Sequence, residues 1–138
     1  MVTPPRADDV DALLRSPARW AVVGLSDNTA RAAYGVSAYL QRLGHTIVPV
    51  HPAAATVHGA RGYRTLSDLP EPPDVVDVFV NSARAGAVVD EAVAVGARAV
   101  WLQLGVHADD AVARARAAGV VVVQDACPAI EGRARDLG

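Results

Sequence analysis

Apolar residues follow two alternating patterns along this chain. Short, almost continuous apolar runs rich in Val predict strands that are covered on both faces, as in parallel sheets. Between these runs, apolar residues recur every three or four positions, which predicts amphipathic helices. The predicted strands are 20–25, 45–50, 75–80, 98–104 and 120–124, and the predicted helices are 8–15, 31–43, 84–95, 108–118 and a segment from Pro128 onward.

The order of these elements predicts the fold. Strands that alternate with helices indicate an α/β protein with a parallel sheet, and right-handed crossovers restrict that sheet to a doubly wound arrangement. We expect a doubly wound (Rossmann-like) five-stranded parallel sheet of order 2-1-3-4-5, in a single domain that spans residues 1–138. Residues 51–74 are a longer connection rich in Ala, Gly and Pro, with a short helical turn expected at 65–69.

The composition narrows the functional classes. A net charge of −2 disfavours a general nucleic-acid binder, which would carry a basic surplus. All 13 basic residues are Arg, which excludes lysine nucleophiles, Schiff bases and lysine-dependent phosphate loops. Any bound anion must therefore be held by Arg side chains, backbone N–H groups or hydroxyls.

The sequence also bears on location and assembly. The one cysteine, Cys127, has no partner for an internal disulfide, which fits a reducing compartment. The N-terminal residues show no apolar signal core, and no apolar stretch approaches the ~20 residues needed to span a membrane. We expect a cytoplasmic protein with neither membrane nor nucleic-acid partners. A homodimer is expected only because symmetric dimers are common.

Ligands of doubly wound sheets bind beyond the carboxyl ends of the strands, where the strand order reverses. This rule selects four segments before any motif is considered. They are Gly24, Leu25, Ser26, Asp27 and Asn28 after the first strand, His51 and Pro52 after the second, Asn81 and Ser82 after the third, and Gln103, Leu104 and Gly105 after the fourth.

The segment after the first strand is the most informative. Gly24 permits a tight turn, and Ser26 and Asn28 are small polar residues just before a helix, where N–H groups and the helix dipole attract a phosphate. Arg31, in the first turn of that helix, opposes the dipole unless a phosphate accepts its hydrogen bonds. An ordinary Ser, Asp or Asn helix cap beside a solvated Arg is the alternative.

Two features disfavour a nicotinamide dinucleotide as the ligand. No second glycine follows Gly24 until Gly35, so the Gly-x-Gly-x-x-Gly fingerprint is absent. In addition, His51 stands where an NAD site would place Asp or Glu to hold the ribose hydroxyls.

A series of short motifs runs in order through residues 20–131. Its members are Ala21–Ser26, Arg31, Tyr34–Val36, Tyr39–Leu40, Val48–Pro52, Gly59, Tyr63, Leu66, Val76–Val80, Trp101–Gly105, and Asp125 with Cys127. Together they resemble the small stand-alone CoA-binding proteins. That family is similar to the CoA-binding domain of the succinyl-CoA synthetase α subunit.

The resemblance implies coenzyme A, or an acyl-CoA, as the ligand. It implies that the loop Leu25–Asn28 receives the CoA phosphates with Arg31 alongside, and that His51 and Pro52 flank the adenosine end. The rest of the groove would be lined by Val80, Asn81 and Ser82 and by Leu102, Gln103 and Leu104.

Three departures from the family pattern each remove a cation. Ala53 and Ala54 follow Pro52, where relatives commonly have Lys or Arg. Asn81-Ser82 stands in place of an Arg-Pro sequence, and Ala126 separates Asp125 from Cys127 where the family favours Arg. Because each departure removes a cation, we expect this chain to bind CoA more weakly than its relatives do, or in a different pose.

Some residues allow both a functional and a structural interpretation. Cys127, at a predicted helix start, is either a thiol that exchanges with the CoA thiol or a small buried apolar residue. Asp77, inside an apolar strand, is predicted to be a partnered structural carboxylate. Trp101 and Gln103 share one sheet face; Trp101 is expected in the core, and Gln103 is open to a binding role. The four His show no metal-ligand spacing.

These observations leave three functional hypotheses. The preferred one is a non-catalytic protein that binds CoA or an acyl-CoA at the carboxyl ends of the strands. The alternatives are an NAD(P)-binding redox or sensor protein, and an interaction subunit that has lost its ligand. No catalytic residue is predicted.

Overall fold

The five apolar runs form one parallel sheet in the computed structural model, which describes residues 7–138. The helices are α1 (Ala7–Arg15), α2 (Ala32–Arg42), α3 (Ser82–Ala94), α4 (Asp109–Ala117) and α5 (Pro128–Ala134); the strands are β1 (Arg19–Val23), β2 (Thr46–Val50), β3 (Val75–Val78), β4 (Ala99–Leu102) and β5 (Val121–Val123); a 3₁₀ turn spans Leu66–Asp68. Residues 1–6, where the sequence shows no apolar signal core, lie outside the described residues. Within residues 7–138, no helix has the length and apolarity that crossing a membrane requires.

The sheet has the order β2-β1-β3-β4-β5, and every neighbouring pair is parallel. This confirms the predicted doubly wound topology. β1 pairs with β2 on one side and with β3 on the other, so the winding reverses between β1 and β3. The carboxyl ends of these three strands meet at that switch point.

Alternating side chains of the strands supply two separate cores. One face of the sheet carries Trp20 and Trp101, whose ring centroids lie 5.6 Å apart, and it packs against α1, α2 and α5. The other face carries residues such as Val76 and Val100 and packs against α3 and α4. Because both faces are covered, the strands are apolar throughout, as their sequences predict.

Three strands end two residues earlier than their apolar runs predict, and β5 ends one residue earlier. β1, β3 and β4 end at residues 23, 78 and 102 instead of 25, 80 and 104. Leu25 and Val80 are nevertheless buried, because the chain continues through the core after it has left the ladder. An apolar run in the sequence indicates that residues are buried. It does not show where the strand ends, because a strand also requires backbone hydrogen bonds to a neighbouring strand.

A buried histidine attaches α1 to the sheet. His45 Nε2 donates to the Leu14 carbonyl oxygen at 2.9 Å, and Nδ1 accepts a hydrogen bond from the Ala18 N–H at 3.2 Å. Burial lowers the pKa of His45, more than the bond to Leu14 raises it. The neutral ring therefore links the end of α1 to the start of β2.

Candidate functional site

Gly24, the first residue after β1, is where the chain turns away from the sheet. Its φ is +101°, and a Cβ there would come within 2.7 Å of the Phe79 carbonyl oxygen. Its N–H donates to the Val50 carbonyl oxygen at 2.8 Å. A side chain would push these segments apart, so glycine keeps the ends of β1, β2 and β3 close together.

Two adjoining cavities open at this edge of the sheet. The β2-side cavity has a volume of about 330 Å³ and the α2-side cavity about 450 Å³, within the roughly 300–1,000 Å³ of small-molecule sites. Gly24, His51, Val80 and Arg84 line both cavities. The β2-side cavity is further lined by Val23, Val50, Pro52, Arg64, Thr65, Leu66, Val88 and Glu91, and the α2-side cavity by Ser26, Asn28, Arg31, Ala32, Ala33, Phe79 and Asn81.

The loop between β1 and α2 is held by its own polar side chains. Ser26 Oγ accepts a hydrogen bond from the Asn28 N–H at 3.2 Å, and Asn28 Oδ1 accepts one from the Ala30 N–H at 3.0 Å. Arg31 is the N-cap of α2 and no side chain caps this helix. The Tyr34 N–H donates to the Arg31 carbonyl oxygen at 3.1 Å, and the N–H groups of Ala32 and Ala33 are left for water or a ligand. Asn28 thus caps the turn before α2 and not α2 itself, while Arg31 is exposed, as the alternative expects, and lies one residue before the first turn, not within it.

The helix after β3 places a second cation at the same edge. Asn81 is the N-cap of α3, and its Oδ1 accepts a hydrogen bond from the Arg84 N–H at 3.1 Å. Arg84 is the third residue of α3, where its charge opposes the helix dipole just as that of Arg31 does at α2. An anion bound between the two helix starts would compensate both.

The charges along the two cavities are predominantly positive. Within residues 7–138, Arg31, Arg64 and Arg84 form no salt bridge. Glu91 is the carboxylate in the lining, and its Oε1 accepts a hydrogen bond from the Leu66 N–H at 2.8 Å. Three arginines against one carboxylate favour an anionic ligand.

Arg64 and Arg84 are absent from the residues predicted from the sequence. Arg84 carries the same signal as Arg31, because a cation at the N-terminal end of a helix is unfavourable without an anion nearby. Arg64 lies in the connection 51–74, whose irregular backbone has no period that would place it at the strand ends.

The structure brings together only part of the predicted site. The predicted residues that line the cavities are Gly24, Ser26, Asn28, Arg31, His51, Pro52, Val80 and Asn81. The predicted residues that do not line either one are Leu25, Asp27, Ser82, Leu102, Gln103, Leu104 and Gly105. Leu25 and Leu102 are fully buried in the two cores, whereas Asp27 is exposed.

The segment after β4 is tied to its neighbours through polar contacts. Ser82 Oγ accepts a hydrogen bond from the His107 N–H at 2.9 Å and donates to the Gly105 carbonyl oxygen at 3.4 Å. The Gly105 N–H donates to Asp125 Oδ1 at 2.8 Å. Leu104 is left exposed between these contacts. A contribution of this segment to ligand binding stays a prediction.

Asp77 and Gln103 form a buried polar pair beneath the site. Gln103 Nε2 donates to Asp77 Oδ1, while Asp77 Oδ2 has no partner within the described part of the chain. Burial raises the pKa of Asp77 to about 8, against the opposing effect of the Gln103 hydrogen bond. The predicted partnered role is confirmed, but at neutral pH Asp77 is mainly a neutral acid and not a carboxylate. Trp101 lies in the core as expected, with its Nε1 donating to the Ala126 carbonyl oxygen at 2.9 Å.

Cys127 lies in a different place from the two cavities. It is the half-buried N-cap of α5 and lines a separate cavity of about 490 Å³ between α2 and α5. Its packing against the core that contains the two tryptophans agrees with the interpretation as a small buried residue. Among residues 7–138, no group of three His, Cys, Asp or Glu side chains is arranged to hold a metal ion.

A comparison of the chain with known protein families gives a match that covers most of the sequence. Residues 18–133 match the CoA binding domain family. The chain belongs to this family. The resemblance described from the sequence motifs is thereby confirmed.

Similar proteins and solved structures cover between 83% and 100% of this chain. The uncharacterized protein YneT of Bacillus subtilis (strain 168) is 33% identical over 127 residues, which are 92% of this chain and 93% of YneT. A hypothetical protein from Pyrococcus horikoshii OT3 is 31% identical with a TM-score of 0.89, covering 100% of this chain and 99% of its own. The dinucleotide-forming acetyl-coenzyme A synthetase 1 of Ca. Korarchaeum cryptofilum, 24% identical with a TM-score of 0.69, shares the fold over 83% of this chain and 27% of the synthetase chain.

Proposed function

We propose that this protein binds coenzyme A, free or acylated, across the β2-side and α2-side cavities. Membership of the CoA-binding domain family supports a CoA-binding role, and the cavities lie at the switch point where doubly wound sheets bind ligands. The proposed role is binding without chemical conversion, in a single domain. The cytoplasmic location and the homodimer stay predictions.

One observation carries the proposal: two arginines that form no salt bridge with any residue in the described range 7–138 face one cavity from the starts of two helices. Arg31 and Arg84 both line the α2-side cavity, with Ser26 and Asn28 on its wall. A pyrophosphate there would accept charge-assisted hydrogen bonds from both guanidinium groups and bonds from the uncapped N-terminus of α2. This arrangement supplies the anion site without any lysine.

The β2-side cavity suits the adenosine end of the same ligand. Val23, Val50, Leu66 and Val88 give it an apolar wall, which fits the faces of an adenine ring. His51, at its rim, is oriented by the Ala53 N–H, which donates to Nδ1 at 3.0 Å. Since Gly24 and Arg84 line both cavities, one extended ligand can occupy them together.

Two polar side chains of the β2-side cavity, His51 and Glu91, accept hydrogen bonds from backbone N–H groups. His51 Nδ1 accepts from the Ala53 N–H, and Glu91 Oε1 accepts from the Leu66 N–H. Both contacts orient these side chains within the cavity wall.

The test is a thermal-shift and calorimetric titration with CoA, acetyl-CoA and NAD. A ligand at a hundred times its Kd adds about 2.7 kcal/mol of stability, which raises the melting temperature of a domain of this size by at least ~5 °C. We expect this shift with CoA or acetyl-CoA and none with NAD. A shift with NAD alone, or with none of the three, would overturn the proposal.

Arginine variants test the assignment of the phosphates. We expect Arg31→Gln and Arg84→Gln each to weaken CoA binding about tenfold, the effect of losing one hydrogen bond to a charged group. Arg42→Gln is the matched control, because Arg42 lies at the other end of α2, is exposed and lines neither cavity. Equal losses in all three variants would show that net charge, not this site, attracts the ligand.

A further inference from the structure

The connection between β2 and β3 holds one arginine firmly beside the carboxyl end of β2. The Tyr63 N–H donates to the Pro49 carbonyl oxygen, and the His51 N–H donates to the Tyr63 carbonyl oxygen, both at 2.9 Å. These bonds place Tyr63 against the end of β2 as a short additional bridge. Arg64 follows directly and lines the β2-side cavity together with His51 and Pro52.

The chain beyond Arg64 is fixed as well. The Leu66 N–H donates to Glu91 Oε1 on α3 at 2.8 Å, and the Leu66 side chain is buried in the core. Arg64 therefore sits between two anchored residues, one attached to β2 and the other to α3. The position of its backbone is set by the fold, while its side chain stays exposed at the cavity.

The nearest arginine in sequence is arranged differently. The Arg61 guanidinium lies over the Tyr63 ring, 5.0 Å from its centroid, and Arg61 lines neither cavity. Arg64 forms no salt bridge within residues 7–138. The carboxylate that shares its cavity, Glu91, already accepts the Leu66 N–H. Arg64 is thus a cation that lines the cavity without a salt-bridge partner among residues 7–138.

In doubly wound sheets, the end of the second strand is where an adenosine ribose lies. An acid there binds the ribose hydroxyls, whereas a nearby arginine accommodates a phosphate on the ribose. This chain has His51 and Arg64 at that place and no carboxylate among the cavity residues that flank them at the end of β2. We infer that Arg64 binds a phosphate monoester on the ribose of an adenine nucleotide.

This inference rests on the proposed function and specifies it. With CoA as the ligand, the monoester is the 3′-phosphate, so Arg64 makes the protein select CoA over dephospho-CoA. The same chemistry would be offered by the 2′-phosphate of NADP, which NAD lacks. The two ligand pairs therefore distinguish the sources of the phosphate.

The experiment is a calorimetric titration of the full chain with CoA, dephospho-CoA, NADP and NAD. We expect CoA to bind about tenfold more tightly than dephospho-CoA, the contribution of a hydrogen bond between charged groups at an exposed site. In Arg64→Gln this preference should disappear because CoA binding weakens while dephospho-CoA binding is unchanged. Arg61→Gln, the matched control from the same segment, should keep the preference.

Arg84→Gln separates the ribose phosphate from the pyrophosphate. It should weaken CoA and dephospho-CoA by the same factor, because both ligands carry the pyrophosphate. Loss of the CoA preference in Arg84→Gln but not in Arg64→Gln would overturn the assignment to Arg64.

The outcomes also separate this inference from the proposed function. Equal binding of CoA and dephospho-CoA by the unmodified protein would refute the role of Arg64 and leave the CoA proposal standing. Binding of NADP over NAD, without binding of CoA, would support Arg64 as a reader of ribose phosphate and refute CoA as the ligand. Binding of none of the four would refute both.

Discussion

Replacing Asp77 by Asn is expected to stabilise the protein at neutral pH. Asp77 is fully buried in β3, where burial raises its pKa to about 8 from 3.8. At pH 7 the Asp77 carboxyl is therefore mainly protonated in the folded state and ionised in the unfolded chain. Asn keeps the oxygen that accepts the Gln103 hydrogen bond and removes the need to protonate.

The size of the effect follows from the difference between the two pKa values. The contribution of Asp77 to stability is complete below pH 3.8 and falls as the pH rises to about 8, where the folded state also loses its proton. At ~1.4 kcal/mol for each pKa unit, the loss between pH 3.8 and pH 7 is about 4 kcal/mol. Asp77→Asn should recover most of this, which corresponds to a rise in melting temperature of about 10 °C.

Urea unfolding at pH 4.5 and pH 7.5 measures this effect directly. The fluorescence of Trp20 and Trp101, both fully buried, reports the transition. The stability difference between Asp77→Asn and the unmodified protein should be small at pH 4.5 and several kcal/mol at pH 7.5. Other titrating groups cancel in this difference, and Asp27→Asn, at an exposed position, serves as the control substitution. A difference that is independent of pH, or a variant that is less stable at pH 7.5, would refute the reasoning.

Three further substitutions and one change of pH test the packing of the fold. Gly24→Ala should cost about 2 kcal/mol or more and abolish CoA binding, because its Cβ meets the Phe79 carbonyl oxygen and φ is positive; an unchanged melting temperature would contradict this. Gly132→Ala should destabilise the protein, since its Cβ would overlap the Tyr39 ring. Gly35→Ala should stabilise α2 by up to ~1 kcal/mol, because a Cβ at Gly35 meets nothing within 4 Å. Thermal melts in which both variants shift in the same direction would refute the comparison. Because burial lowers the pKa of His45, its contribution to stability is present above the unfolded pKa near 6.5 and is lost as the pH falls below that value. Hydrogen exchange in residues 7–15 should therefore accelerate at pH 5 relative to its intrinsic rate, and equal protection at pH 5 and pH 7.5 would count against this role.

The fold was predictable because its signals are strong and local. Apolar runs such as 75–80 can be buried on both faces only in a covered parallel sheet, and the alternation with helices then restricts the strand order. The strand ends were less predictable. Leu25 and Val80 are apolar because they enter the core, and sequence alone does not distinguish that from continued pairing.

The candidate site was predictable where its residues follow a strand directly. Gly24, Ser26 and His51 come just after β1 and β2, so the topology alone places them at the switch point. Arg64 could not be placed in this way, because it follows an irregular connection that returns to β2 through single backbone hydrogen bonds at Tyr63. The buried hydrogen bond between Gln103 and Asp77 could not be predicted from the sequence either. It links β3 to the residue that follows β4, and the sequence pattern does not show which side chains pair across the sheet.

The two anchors around Arg64 have a further consequence for the energetics of binding. Tyr63 is held to β2 and Leu66 to α3 by hydrogen bonds within the protein itself. A flexible segment would lose roughly 1–2 kcal/mol of backbone entropy for each residue that becomes ordered on binding. This segment is preorganised, so the ordering cost was met during folding and does not reduce affinity when the nucleotide arrives. In the proposed complex, residues 63–66 would therefore lose little main-chain freedom on association, while the ligand and the Arg64 side chain would still become ordered.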